Sequence, residues 1–440
     1  MAASTASVPV PAARPGGGLR GVRLWYVLLA LAGLLGVVAW IYELQHGLAA
    51  TGMRDVVSWG MYIFTFAFFI GLSAGGLIMA SSAEVFGIAD LKPLARLGVL
   101  SAAACVTVAA IMILPDLGRP DRILNIFIHP NWTSPLIWDI LIISVYFTFS
   151  VVDLVVLQRH ESEPSRLRKA IRVLAYVGLP TAVLLHSVTA WIFGLQIART
   201  WWNTALMAPL FVVSAILSGT GLVTLLALAA QRWGGFALSA PTRRWLRGFI
   251  AIALIVDLFF VGCEYVTVLW GNVPADRSAL DLVLPGGAYA WTFWAEWMLG
   301  GVVPLAFLLA PRLRRVPGSL GLAAFLAIAG VYAFRIELVV IGFINPLTQF
   351  PPGNAIGTYN PATSSFELVG RYSPTWVEYS IILGLFALFG AIMTVGYRRL
   401  FTPSAAGHPD LGRAVPGAAP SVSREPGGGA TSPSPASDEQ

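Results

Sequence analysis

The sequence contains few residues that could hold a metal or a redox centre. Its 440 residues include only two cysteines, Cys105 and Cys263, and both lie within apolar stretches. Because no Cys-x-x-Cys pair occurs, we expect neither an iron–sulfur cluster nor a structural zinc site in this chain. Each cysteine is expected to pack as a small apolar side chain.

Charged residues are also scarce. They make up 11% of the chain, against roughly 25% in an ordinary soluble domain. Hydrophobic residues make up 57%, and the mean hydropathy is +0.74. The core of a soluble protein could not bury so many apolar side chains, so we expect lipid to surround much of this chain. The net charge of +6 does not indicate nucleic-acid binding, because the basic residues lie in short loops between apolar runs.

Ten stretches are long and apolar enough to cross a bilayer, which requires about 20 residues of helix. They cover residues 23–43, 57–83, 94–115, 135–157, 172–198, 204–230, 248–270, 288–310, 319–344 and 375–397. The sequence therefore predicts an all-α integral membrane fold with one membrane domain at 20–400. The tails, 1–19 and 401–440, are rich in small residues and proline and are expected to be disordered.

The basic residues predict the orientation of the chain. If the N-terminus is cytoplasmic, 21 of the 28 Lys and Arg residues lie in cytoplasmic segments and six in the opposite loops, while Arg335 lies within a span. Positive charge in short loops accumulates on the cytoplasmic side. We therefore expect a bacterial inner-membrane protein with both termini in the cytoplasm.

Small residues form a patch in each of two spans. The second span contains Gly71-Leu-Ser-Ala-Gly-Gly76, and the sixth contains Ser218-Gly-Thr-Gly221. Such patches allow helix backbones to approach closely. Because they lie four spans apart, they suggest two related four-helix bundles, spans 2–5 and 6–9, flanked by spans 1 and 10.

Ionisable residues within spans are costly and usually functional. On the predicted topology most lie in the outer half of the membrane, namely Asp139, Glu264, Glu296, Arg335, Glu337 and Glu378. A smaller number lie further in, including Asp257 and Asp153. The outward bias suggests a polar pocket that opens toward the outer face.

Four of these residues form a candidate proton path. Asp257 and Glu264 are seven residues apart, so they share one helix face. Glu296 and Arg335 complete the set, and Arg335 is expected to pair with a carboxylate of a neighbouring span. The alternative is that such residues pair only to hold the helices together.

Only one of the five histidines, His186, lies within a predicted span. A membrane-embedded b-type haem usually takes its axial imidazoles from the spans, so we expect no haem. His186 is then free to bond a carbonyl or phenol oxygen and to exchange a proton near neutral pH. The alternative is a core histidine bonded to a neighbouring helix.

Several motifs recur along the spans in a fixed order: Ser58-Trp-Gly-Met-Tyr-Ile, Asp116-Leu-Gly-Arg-Pro, Ser134-Pro-Leu-Ile-Trp-Asp139, Leu185-His-Ser-Val-Thr-Ala-Trp191, Ala288-Tyr-Ala-Trp-Thr-Phe-Trp and Tyr372-Ser-Pro-Thr-Trp-Val-Glu378. Together they resemble the NrfD/polysulfide reductase membrane-subunit family. The resemblance is to its ten-span branch, which includes the membrane subunits of alternative complex III.

This resemblance implies a subunit that is not catalytic alone and has no haem or cluster of its own. Such a subunit binds menaquinone or ubiquinone near the outer face. It exchanges electrons with a ferredoxin-like four-cluster iron–sulfur subunit, which serves a molybdopterin enzyme or a cytochrome. Some eight-span members place polar quinone contacts on the first helix of the bundle, where Phe64–Phe69 offers only Thr65. The contacts are therefore expected on spans 3–5.

We expect His186 and Asp139 to contact the quinone oxygens and exchange protons with them. The aromatic residues Trp59, Tyr146 and Trp191 would line the quinone ring and the isoprenoid chain. Asp116 and Arg119, in the loop between the third and fourth spans, would lie at the outer mouth beside the iron–sulfur partner. A secondary transporter is an alternative, because Pro180 and Pro304 interrupt spans that carry buried carboxylates. A structural anchor without a quinone site is another.

Overall fold

The computed structural model describes residues 19–54, 56–160, 164–233, 238–344 and 372–401. The predicted tails, 1–19 and 401–440, lie almost wholly outside these residues. Most of the segment between the ninth and tenth spans also lies outside them. The boundaries of the membrane domain therefore stay predictions.

Ten helices are long and apolar enough to cross a membrane, so the all-α, ten-span prediction is confirmed. The described residues contain no β-strand. The helices are α1 (Leu19–His46), α2 (Met61–Val85), α3 (Lys92–Asp116), α4 (Pro135–His160), α5 (Pro164–Gly194), α6 (Met207–Trp233), α7 (Ala240–Gly271), α8 (Ala290–Leu309), α9 (Ser319–Ile344) and α10 (Trp376–Phe401).

Two of the helices begin well before the apolar stretch that predicts them. α5 begins at Pro164 rather than at 172, and α7 begins at Ala240 rather than at 248. Both added segments are basic, so a search for apolar residues passes over them. At α7 the backbone N–H of Thr242 donates to Ser239 Oγ at 3.1 Å, which caps the helix where its sequence is still polar.

We call the end formed by the C-termini of α1, α3, α5, α7 and α9 the outer end, and the opposite one the inner end. The names follow the charge-based prediction, and the orientation itself stays a prediction. A short helix that was not predicted, Pro274–Val283, lies between α7 and α8 at the outer end. Its ten residues are too few and too polar for a hydropathy search to detect.

Helix α2 lies at the centre of the molecule. Of its most apolar stretch, 94% is buried, against 11% for α1. It packs against α3, α5, α6 and α9. The two patches of small residues meet here, because a Cβ added at Gly219 of α6 would lie 2.5 Å from Gly75 Cα. The close approach is thus confirmed, whereas the division into two bundles stays a prediction.

Helix α8 contains a π-helical segment, Trp294–Val302. It packs closely on α9, since a Cβ added at Gly300 would lie 2.3 Å from Gly330 Cα. The segment carries Glu296, which is buried. Extended π-helical turns are rare and often occur at functional sites.

Candidate functional site

A fully buried arginine, Arg335 of α9, joins residues of α5 and α6. Its Nη2 donates to Ser214 Oγ at 2.6 Å and lies 3.3 Å from His186 Nε2. Its guanidinium also lies 3.7 Å from the centre of the Phe211 ring. Arg335 forms no ion pair within the described part of the chain, so the expected carboxylate pairing is wrong. An aromatic face and neutral acceptors solvate the cation instead.

The neighbouring guanidinium determines which nitrogen of His186 carries the proton. A guanidinium can only donate hydrogen bonds, so Nε2 is the acceptor and Nδ1 bears the hydrogen in the neutral ring. His186 Nδ1 is buried and has no hydrogen-bond partner among the described residues. Gly71 of α2 permits this position, because a Cβ there would lie 3.3 Å from His186 Cε1. His186 therefore offers one unused donor inside the membrane.

Asp139 of α4 lies against the same side of α5. Its Oδ1 accepts a hydrogen bond of 2.6 Å from Thr189 Oγ1. Thr189 is three residues from His186, so the two share one face of α5. Asp139 and His186 are both buried, at 3% and 0% exposed. Thr189 thus connects Asp139 to the face of α5 that carries His186, the other residue predicted to exchange protons with a quinone.

Buried carboxylates of α7, α8 and α9 lie in the neighbourhood of Arg335. The charges of Asp257 and Glu296 both act on the guanidinium. Neither oxygen of Glu296 has a hydrogen-bond partner in the described residues. Glu337, which is close enough to interact with Glu296, accepts from Tyr265 at 2.9 Å. Uncompensated buried carboxylates are costly, which favours a proton-exchanging role over a purely structural one.

These carboxylates lead to a cavity of about 160 Å³ at the outer end. It lies between α6, α7, α9 and the segment 200–204, and Glu264, Tyr265 and Glu337 line it. Glu264 Oε1 accepts from Thr204 Oγ1 at 2.5 Å. Since a water molecule occupies roughly 30 Å³ of liquid, the cavity has room for about five. Three of the predicted proton-path residues, Asp257, Glu296 and Arg335, thus lie near one another, and Glu264 lies at the cavity.

A second polar network closes the outer end between α1, α2 and α10. Tyr62 donates a short hydrogen bond to Glu43, and Tyr372 donates another to Glu378. Burial and the charge of Glu378 raise the pKa of Tyr372 above its ordinary value. Asp116 lies near enough for both glutamates to act on it, and its Oδ1 is buried without a partner among the described residues. Asp116, at the predicted outer mouth, therefore lies near two further carboxylates, those of Glu43 and Glu378.

Trp59 belongs to an aromatic cluster at the outer end. It stacks on Trp202 at 6.0 Å and meets Phe193 and Phe343 edge-on. Arg199 lies 4.1 Å from the centre of the Phe343 ring, and burial lowers its pKa from the ordinary value. The cluster fastens the segment after α5 to the end of α9, because Trp202 Nε1 donates to Leu338 O at 2.7 Å.

The remaining predicted residues lie apart from these groups. The Tyr146 hydroxyl donates to Ser73 O at 2.8 Å, so its hydrogen is already bonded to α2. Trp191 is 37% exposed on the outside of α5. Arg119 is exposed and pairs with Asp121 at 3.0 Å, which raises the pKa of Arg119 and lowers that of Asp121. The roles proposed for these residues stay predictions.

Sequence reasoning missed several partners in these networks. Glu43 lies in the last turn of the first predicted span, so a search of all ten spans for acidic residues would have found it. Thr189, Ser214 and Thr204 carried no such signal, because a hydroxyl in a membrane helix commonly bonds its own backbone. Within the described ranges no group of three or more His, Cys, Asp and Glu side chains is placed to hold a metal ion.

Comparisons with known proteins identify relatives of this chain. The sequence model of the family described as polysulphide reductase, NrfD matches residues 49–346. The chain is 36% identical to a putative dimethyl sulfoxide reductase membrane subunit of Halobacterium salinarum, over 90% of this chain and 94% of that protein. It is 28% identical to an Hdr-like menaquinol oxidoreductase integral membrane subunit of Archaeoglobus fulgidus, over 86% and 93%. It is 24% identical to a menaquinone reductase integral membrane subunit of Nitratidesulfovibrio vulgaris, over 83% and 88%.

Proposed function

Since the chain belongs to the polysulphide reductase NrfD family, we propose that it is the quinone-binding membrane subunit of a respiratory redox complex. Two relatives are named as membrane subunits of menaquinol or menaquinone enzymes, and a third as a membrane subunit of a dimethyl sulfoxide reductase. These names support a role beside catalytic and electron-transfer subunits. They also favour such a subunit over a secondary transporter.

The observation that carries the proposal is the unused donor of His186 beside Asp139. A quinone needs a hydrogen-bond donor at its carbonyl oxygen, and a quinol needs an acceptor at its hydroxyl. His186 Nδ1–H supplies the first, and the Asp139 carboxylate, held by Thr189 at 2.6 Å, supplies the second. The residues therefore fit the headgroup of menaquinone or ubiquinone. A structural anchor would have no reason to bury an unpaired imidazole N–H.

The quinone supplies two-electron, two-proton chemistry, and the chain supplies places for the protons. In quinol oxidation Asp139 would accept the proton of one hydroxyl and His186 the proton of the other. In quinone reduction the same two groups would return both protons. The electrons pass to or from a partner iron–sulfur subunit, which we place at the outer end near Asp116 and Arg119. This end is then the extracytoplasmic face of a bacterial inner membrane.

Arg335 connects the quinone pair to the carboxylates of α7 to α9. It touches His186 at 3.3 Å and is acted on by Asp257 and Glu296. We assign these carboxylates, with Glu264 at the outer cavity, to proton movement. Water in the cavity would link Glu264 to Glu337, which also lines it. A change of charge at His186 or Asp139 would then alter proton binding by the carboxylates near Arg335, and a change at the carboxylates would alter proton binding by His186 and Asp139.

The substitution His186→Gln in the assembled complex tests the proposal. Glutamine keeps an N–H donor but cannot exchange a proton, and general acid–base catalysis contributes about 10²- to 10⁴-fold. We therefore expect turnover with a short-chain quinol to fall at least about 100-fold. The matched control is His46→Gln, because His46 is exposed at the end of α1, where its ring stacks on Tyr42 and its Nδ1 lies 2.9 Å from Tyr42 O.

Two further measurements separate function from folding. The thermal unfolding curve of His186→Gln should stay close to that of the unaltered complex. Quinol turnover and the KM for quinol should both be unchanged in His46→Gln. Unaltered turnover and unaltered KM in His186→Gln, in a folded complex, would refute the assignment of the quinone site.

A further inference from the structure

The inner end contains a cavity of about 270 Å³ that the proposed function does not use. It lies between the C-terminal part of α6, the first turns of α7 and the turn that leads into α9. Four arginines line it, Arg243, Arg247, Arg314 and Arg315. Leu228 adds an apolar surface. A concave surface with this composition differs from a basic loop that only satisfies the rule for membrane topology.

Among the described residues, no carboxylate neutralises the arginines of this cavity. None of the four forms an ion pair with any acidic side chain in the described part of the chain. Arg243 donates instead to the neutral Gln231, at 2.8 Å. Arg247 and Arg314 are close enough for their charges to repel each other. Like charges that converge without a counter-ion indicate a site for an anion.

Part of the positive surface is held rigidly. Arg247 Nη1 donates to Phe307 O at 2.9 Å, and Nη2 donates to Ser319 Oγ at 3.2 Å. Ser319 Oγ in turn donates to Arg314 O at 3.1 Å. These bonds fix the guanidinium between α7, α8 and α9. A guanidinium held in place loses less conformational entropy when it binds a phosphate.

The first turn of α9 also faces the cavity. Ser319, Leu320 and Gly321 line it, and they begin a helix of 26 residues. In this turn the N–H of Ser319 donates to Val316 O and that of Leu322 to Gly318 O, which leaves the N–H groups of Leu320 and Gly321 as the unused donors among the described residues. The helix dipole adds partial positive charge. Helix N-termini of this kind bind phosphate groups. The helix end and the arginines therefore favour the same chemical class of ligand.

We propose that this cavity binds the phosphodiester headgroup of an anionic phospholipid. A volume of 270 Å³ is about nine times the roughly 30 Å³ share of one water, so the cavity holds more than a phosphate ion. Leu322 and Phe325, on the first turns of α9, are 44% and 59% exposed and provide a surface for an acyl chain. Basic cavities between spans at the cytoplasmic side are known to hold acidic headgroups.

The test measures binding of phosphatidylglycerol to the delipidated, full-length chain in detergent by native mass spectrometry. The test variant is Arg314→Gln with Arg315→Gln, because both side chains line the cavity and lie in an exposed turn. The matched control is Arg244→Gln with Arg312→Gln. It removes the same charge from exposed positions in the neighbouring sequence that do not line the cavity.

We expect the test variant to bind phosphatidylglycerol about 25-fold more weakly, because each of the two arginines near an acidic headgroup contributes roughly a fivefold factor in affinity. The control should bind as the unaltered chain does, and phosphatidylcholine should bind weakly to all three. Millimolar inorganic phosphate should not displace the lipid.

Three results would overturn the proposal. Equal weakening in the test and control variants would mean that only the overall positive charge matters. Displacement of the lipid by inorganic phosphate would assign the cavity to a free anion. Protection of Arg314 and Arg315 from an arginine reagent by a co-purified subunit, with all phospholipid removed, would assign it to a protein partner.

Discussion

The substitution Gly219→Ala should separate the two central helices, α2 and α6. The added Cβ would lie 2.5 Å from Gly75 Cα and from Gly76 N, whereas ordinary contact begins at 3.4 Å. The backbones must therefore move apart by about 0.9 Å. No side chain can rotate away to relieve the contact, because the atoms that clash belong to the main chain.

The size of the effect follows from two opposing contributions. Overpacking costs about 1–3 kcal/mol, and a clash with backbone lies at the upper end of that range. Replacing a helical glycine with alanine recovers about 0.5–1 kcal/mol. The net loss should be about 2 kcal/mol, which increases the unfolded population about 30-fold. The assay is unfolding of the purified chain in mixed detergent micelles, followed by circular dichroism.

Gly33→Ala is the matched control for this prediction. Gly33 also lies within a membrane helix, α1, but a Cβ there would meet nothing within 4 Å. The control should therefore unfold as the unaltered chain does, or be slightly more stable. Equal unfolding curves for Gly219→Ala and Gly33→Ala would refute the reasoning from close helix contact.

Two more substitutions test how the outer end is held. The Glu378 carboxylate accepts hydrogen bonds from Gly52 N, Thr375 N and the Tyr372 hydroxyl, and Glu378→Gln removes its charge and one of its two acceptor oxygens. We expect a loss of about 2 kcal/mol in stability, measured as a lower melting temperature and faster proteolysis after α1. An unchanged melting temperature would contradict this prediction. In Arg199→Lys the ammonium group cannot reproduce the contact of the planar guanidinium, which lies 4.1 Å from the centre of the Phe343 ring. The melting temperature should fall by an amount equivalent to about 1 kcal/mol. Equal stability would show that the aromatic contact contributes nothing.

Features that depend on the local sequence could be predicted well. Each span exceeds the length and hydropathy that a bilayer requires, so all ten were found. The patches at Gly71–Gly76 and Ser218–Gly221 predicted close helix approach because only small residues permit it, and they proved to contact each other. Their partner was not predictable, since a small-residue face is compatible with almost any neighbouring helix.

Features that depend on how the helices are rotated could not be predicted. A hydropathy pattern indicates the depth of a residue in the membrane but not the direction in which its side chain points. Arg335 was therefore assigned a carboxylate partner, whereas its side chain is oriented toward Ser214, His186 and the Phe211 ring. The same limitation applies to Tyr146: its hydrogen bond to Ser73 O was not predictable, and its quinone contact stays a prediction.

On the proposed function, the position of Arg335 bears on how quinone chemistry and proton movement would be connected. Sequence reasoning separated two sets, with His186 and Asp139 for the quinone and the carboxylates near Arg335 for protons. In the structure the fully buried Arg335 contacts His186, and the charges of Asp257 and Glu296 act on its guanidinium. In a medium of low dielectric, a cation that lacks an ion-paired partner responds strongly to each charge added or removed nearby. On the proposed function, a proton gained or lost at His186 or Asp139 would therefore alter proton binding by Asp257 and Glu296 through the charge of Arg335.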